Sequence, residues 1–121
     1  MGIKVVHLYS GSDGESHLEE IEMPLTISQG LSKDISRQSE TIKATGIHFI
    51  ELDGNREYDF HNTTHRQILI TIEGENEIEA SDGTKHTLKP GSIFWVEDTE
   101  GKGHITRWKK PPHKVIAVTL E

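Results

Sequence analysis

The chain has 121 residues, a formal net charge of −7 and no cysteine. That length fits one ordinary domain, and the lack of cysteine excludes a disulfide framework, a thiolate nucleophile and a cysteine-built zinc site. The acidic excess argues against a nucleic-acid partner, because the only basic cluster is Arg107, Lys109 and Lys110 beside two prolines.

The longest apolar run, Val115 to Val118, is far shorter than the ~20 residues that cross a bilayer. No basic region followed by an apolar stretch opens the chain. A cytoplasmic protein with no membrane partner is the expectation. Isoleucine, valine and threonine number 14, 5 and 11, against 11 for leucine and alanine together. Such β-branched side chains fit pleated strands and lose rotamer freedom in helices, so the composition predicts an all-β protein.

In chain order, Ile3 to Leu8 reads as a strand followed by a Ser/Gly/Asp loop over 10–16. His17 to Leu25 alternates as a half-exposed strand does. Residues 28–45 are polar and read as a long connection. Residues 46–52 form a strand closed by Asp53-Gly54. Residues 67–73 end at Gly74, and 75–80 stop at Asp82-Gly83, a hairpin signal. Residues 85–89 meet Pro90-Gly91, and 92–96 run apolar into a charged, glycine-bearing loop over 97–103, in which the flexible Gly101-Lys102-Gly103 beside His104 could act as a lid. Alternation resumes at 104–108, Pro111-Pro112 breaks it, and 114–120 is the last strand. Turn signals at such short intervals predict one antiparallel sandwich or barrel. It divides into N-terminal strands over 1–27, the connection 28–45 and a barrel over 46–121.

His61, Gln67, Gly74, Gly83, Pro90-Gly91 and His104 form a spaced set. Taken together, they make the run from 58 to 108 resemble the small single-domain cupins. The resemblance implies an all-β, double-stranded β-helix, a jelly-roll barrel of antiparallel strands. Thr63, Gln67 and Trp108 stand where the family carries a second histidine, a glutamate and an asparagine. The resemblance further implies that His61, Gln67 and His104 bind a divalent transition metal (Zn, Fe, Mn or Ni). Imidazole suits these ions, whereas a carboxamide is a weak, neutral donor. The bound ion would keep its charge and favour ligands with a carboxylate or enolate oxygen.

Alternation from Gln67 puts Leu69, Thr71 and Glu73 on one face, and alternation from His104 adds Thr106 and Trp108. His65 shares a face with 61, 63 and 67 if that segment is extended, and Asp59 or Glu73 could supply the missing charge. Thr63, His65, Thr71 and Trp108 are the expected substrate-pocket residues. His7, His17, His86 and His113 read as surface residues, and His48 as a core or interface residue. Arg66 and Arg107 fall on the opposite face, where salt bridges are expected. The expected protein is a homodimeric cupin barrel whose metal site acts on or binds a small organic acid or sugar-like metabolite. The alternative is a metal-free small-ligand binder, or a structural dimeric cupin with a decayed site.

Overall fold

A computed structural model describes residues 2–29 and 35–121, with the side chains of 28 and 29 excepted; part of the expected connection, 30–34, lies outside the described residues. Ten strands occur among the described residues: β1 (Lys4–Ser10), β2 (Ser16–Glu22), β3 (Thr26–Gln29), β4 (Ile35–Gln38), β5 (Ala44–Leu52), β6 (Arg56–His61), β7 (Gln67–Ala80), β8 (Lys85–Leu88), β9 (Ile93–Glu97) and β10 (His104–Leu120). None of the described residues is helical, and no described helix is long and apolar enough to cross a membrane.

Two strands are much longer than the sequence suggests. The breaks read at Gly74 and Pro111-Pro112 are bends within β7 and β10, which stay paired across them with shifts of register. At the bend, Gly74 has φ +87, and a Cβ there would lie 2.5 Å from His113 Nδ1 and 2.6 Å from the Pro112 carbonyl oxygen. Only glycine meets both demands, a left-handed backbone and a neighbouring strand in contact. The bend folds one continuous eight-stranded sheet into two leaves, the two sheets of the barrel, and divides the β7/β10 pair between them. The outer halves, with β9 on one side and β5 on the other, form the order β2-β1-β9-β7-β10-β5. The inner halves continue into β8 and β6, which pair with β7 and β10.

Phe94 and Val96 of β9 and Val6 and Leu8 of β1 pack between the sheets against Ile78 and Ala80 of β7 and Leu88 of β8. Fully burying one such side chain stabilises by about 1.5–3 kcal/mol. The result is an all-β, jelly-roll-type barrel. It differs from an all-antiparallel sheet in one ladder, because β1 pairs β9 parallel. The two are far apart in sequence, and only a tight hairpin obliges neighbours to run antiparallel. The polar connection after β2 contributes strands as well: β3 and β4 pair only with each other.

His113, expected at the surface, is 1 % exposed. It is wedged between Gly74 and the Trp108 ring, whose centroid is 4.8 Å away. Burial pushes its pKa below the ordinary 6.5, so the folded state holds it neutral while the unfolded chain takes up a proton. Its contribution is therefore complete above about 6.5 and lost as pH falls towards the folded value. His17 has the opposite slope: the hydrogen bonds it donates to Asp13 and Asp82 raise its pKa. Between about pH 7.5 and pH 5.5, the urea midpoint of the wild type should fall further than that of His113→Gln, in which the His17 contribution is retained. An equal fall in both proteins would contradict the assignment.

Candidate functional site

Between the sheets lies a cavity of about 290 Å³. The first sheet supplies Gln67, Leu69, Phe94 and Val96 to its wall, and the second supplies His61, Asn76, Ile78, His104, Thr106 and Trp108. β6 carries a bulge: the register steps from Tyr58↔Thr106 to His61↔His104, three residues against two. Bulges re-aim side chains, and this one sets His61 directly across from His104, with ring centroids 4.4 Å apart. Gly103 makes that approach possible. Its φ is +77, and a Cβ on it would lie 2.3 Å from the His61 carbonyl oxygen.

The two imidazoles are oriented in the same way by different partners. His104 is 5 % exposed, and its Nδ1 lies 2.5 Å from Oδ2 of Asp98, which is fully buried. The carboxylate accepts the Nδ1 proton, and Nε2 has no hydrogen-bond partner among the described residues. His61, exposed at the mouth, donates from Nδ1 to the Asp59 backbone carbonyl at 2.8 Å, and its Nε2 is likewise unengaged among the described residues. Gln67 is fixed in turn: its Nε2 donates to Thr63 Oγ1 at 3.0 Å, and that hydroxyl donates to the His65 carbonyl at 2.7 Å. Gln67 Oε1 therefore retains its acceptor capacity. Partners of this kind, holding each donor from behind, are what metal-ligating side chains characteristically have.

Of the residues expected from the sequence, His61, Thr63, Gln67, His104 and Trp108 line the cavity, while His65 and Thr71 do not. The chain leaves the extended form after His61, so His65 does not share the face of 61 and 67 and its side chain is exposed. Thr71 is on the face of Gln67 but about 13 Å further along β7, buried where its backbone bonds Gly91 and Ser92. Glu73 is drawn to Lys114 at 3.1 Å, and Asp59 caps the Phe60 amide. Neither lines the cavity.

The sequence reading missed Asp98 and Asn76. Asn76 is buried against the cavity, and its side chain makes no hydrogen bond among the described residues. The Trp108 indole N–H is also buried without an acceptor. Gly101-Lys102-Gly103, expected as a possible lid, is pinned with the rest of loop 97–103 instead. Asn62 donates to the Asp98 and Gly101 carbonyls, Ser16 to that of Gly103 and Ser10 to that of Glu100, and Lys102 pairs with Glu15.

The other charged residues are structural. Arg66 pairs with Glu97 at 2.6 Å, and Arg107 with Glu77 and Glu79 at 3.0 and 2.8 Å. His7 also meets Glu97, at 2.6 Å. His48 is exposed on β5 and His86 half-buried on β8. No group of three or more histidine, aspartate or glutamate side chains placed to hold a metal occurs among the described residues. The candidate donors are two imidazoles and one carboxamide.

No protein-family model matches the chain, and no curated protein matches it. Among solved structures it is similar to protein NMB1881 from Neisseria meningitidis, at 16% identity and TM-score 0.49, covering 69% of this chain and 87% of that one. A cupin-2 domain containing protein from Shewanella frigidimarina NCIMB 400 gives 15% identity and TM-score 0.46, over 69% and 83% of the two chains. A protein described as ethanolamine utilization protein Q, from Salmonella typhimurium LT2, gives 13% and 0.45, over 99% and 97%.

Proposed function

We propose that this chain is a small cupin-barrel protein of the cytoplasm. Its cavity binds an oxygen-rich small metabolite, an organic acid or sugar derivative, through a divalent transition metal held by His61 Nε2, His104 Nε2 and Gln67 Oε1. One observation carries the reading: both imidazoles are tied at Nδ1 and keep Nε2 unspent beside the same cavity. The donor chemistry fits a borderline ion such as Zn, Fe, Mn or Ni. When bound, such an ion supplies Lewis acidity towards a carbonyl or carboxylate oxygen.

The protein's own residues do the rest. Asp98 holds the His104 tautomer, Asn76 offers an unspent amide to the ligand, and Trp108 with Leu69, Ile78, Phe94 and Val96 provides an apolar wall. With no carboxylate among the described residues of the wall, a bound cation keeps its charge, which favours anionic ligands. That same lack of an acidic donor favours a second reading, a metal-free pocket in which the two Nε2 atoms accept hydrogen bonds from ligand hydroxyls. In either case we take the unit to be a homodimer.

Thermal shifts with malate, tartrate and glucose, each with Zn²⁺ or with EDTA, separate the two. Stabilisation by the hydroxy acids that needs metal and disappears in His61→Ala supports the first reading. Equal stabilisation in EDTA transfers the site to the second, and no stabilisation by any of the three removes both.

A further inference from the structure

Over β5, β10, β7 and β9 the outer face of the sheet is apolar, and towards the β5 edge it is exposed. Cross-strand neighbours run Phe49–Ile116–Ile70 along one row and Ile47–Val118–Ile68–Trp95 along the next. Phe49 is 74 % and Ile47 62 % exposed. At one end, Phe49 and Ile72 border a groove of about 200 Å³. A contiguous apolar patch of this kind marks an interaction surface.

A second feature lies elsewhere in the chain. The β3–β4 hairpin pairs with neither sheet, yet it carries Ile27 and Ile35, 69 % and 70 % exposed. Arg37 is the cross-strand partner of Ile27 and stands two residues from Ile35, so all three share one side. An isolated two-stranded ribbon is marginal in water and needs an apolar surface to lie on. The chain thus has an arm whose Ile27 and Ile35 are uncovered by the described residues, and a sheet face whose Ile47 and Phe49 are likewise uncovered.

We infer that these are the two halves of one self-complementary interface. In a homodimer, the β3–β4 arm of each copy lies across the outer sheet face of the other, setting Ile27 and Ile35 against Ile47, Phe49 and Ile72. The inference rests on the homodimer reading above and gives it an architecture. Three arguments select a second copy as the occupant. Both halves belong to the same chain, which is what a two-fold, isologous contact requires.

The area argument agrees. Four strands by five residues give a footprint of roughly 300 Å², well below the ~800 Å² per partner of a stable interface, so the face alone is undersized and two arms supply the difference. Charge points the same way. Glu51 and Glu73 share the single Lys114 at 3.9 and 3.1 Å at the end of the face, while Arg37, which borders a groove with Glu22 of its own chain, makes no ion pair among the described residues. An arm cation meeting a surplus carboxylate also offsets the repulsion between two chains of net charge −7.

Light scattering on the full chain at about 50 µM tests this, and the expected mass is that of a dimer. Ile27→Asp/Ile35→Asp on the arm and Phe49→Glu on the face should each weaken the dimer at least about tenfold, the lower end expected for a truncated interface anchor. Both leave the β-sheet circular dichroism intact, because the positions are exposed. The lack of native cysteine permits a second readout. Mixing Ile35→Cys chains with mass-tagged Phe49→Cys chains under mild oxidation should give the mixed disulfide as the main product. A monomeric wild type overturns the dimer reading and the arm together. A dimer indifferent to the arm substitutions, with no mixed disulfide, overturns the arm alone. Neither result touches the metal site.

Discussion

Replacing Gly103 by alanine is expected to cost about 3 kcal/mol or more of stability and to separate His61 from His104. The backbone there has φ +77, which an L side chain adopts only under strain. The new Cβ would also lie 2.3 Å from the His61 carbonyl oxygen and 2.5 Å from its carbon. Both are backbone atoms, so no side-chain rotation relieves the contact, and β6 itself has to move. Gly83→Ala provides the control. It has φ +94 but nothing within 4 Å of the added carbon, so it should cost only about 1–2 kcal/mol, the conformational part. Urea unfolding of the two variants isolates the close approach, and equal losses would show that Gly103 is a turn residue and nothing more.

Asp98 should divide stability from metal affinity. Asp98→Ala leaves the His104 Nδ1–H buried without an acceptor, a loss of about 1–3 kcal/mol for a neutral group. Asp98→Asn keeps an oxygen that can accept that proton, so the fold should survive largely intact. The amide withdraws the carboxylate's electrostatic support from the ring, however, and metal affinity should fall about 10–100-fold. Denaturant melts and Zn²⁺ titrations on both variants check the split. If Asp98→Asn binds metal like the wild type, His104 is oriented for packing and not for ligation.

The strands and their turns were legible because glycine and proline punctuation coincides with real changes of direction at Gly54, Gly83 and Gly91. The same punctuation misled at Gly74 and Pro111-Pro112. A glycine that ends a strand and one that lets a strand bend against its neighbour look alike until the neighbour is known. β6 was missed because Arg56 to His61 has no buried side, and without one there is no alternation to read.

In the candidate site, His61, Gln67 and His104 could be picked out because their spacing follows the turns. Asp98 lacked any such frame. It precedes His104 by six residues across a loop that reads as solvated, and only the folding-back of that loop buries it. His113 was misjudged for a related reason. Proximity to prolines suggests a surface turn, whereas here the prolines lie in the bend that packs it on Trp108. The arm could not be foreseen either, since four-residue strands in a Ser/Gln-rich stretch fall below the length at which periodicity is visible.

The central claim is that two imidazoles held at Nδ1 and one oriented carboxamide make a metal site. Elemental analysis of tag-free protein, dialysed after loading with Zn²⁺, Mn²⁺ or Ni²⁺, tests it most directly, beside His61→Ala and His104→Ala. Close to one equivalent of one of these metals in the wild type, lost in both variants, is the predicted result. A wild type that emerges metal-free, or a His104→Ala protein that retains its metal, would contradict it.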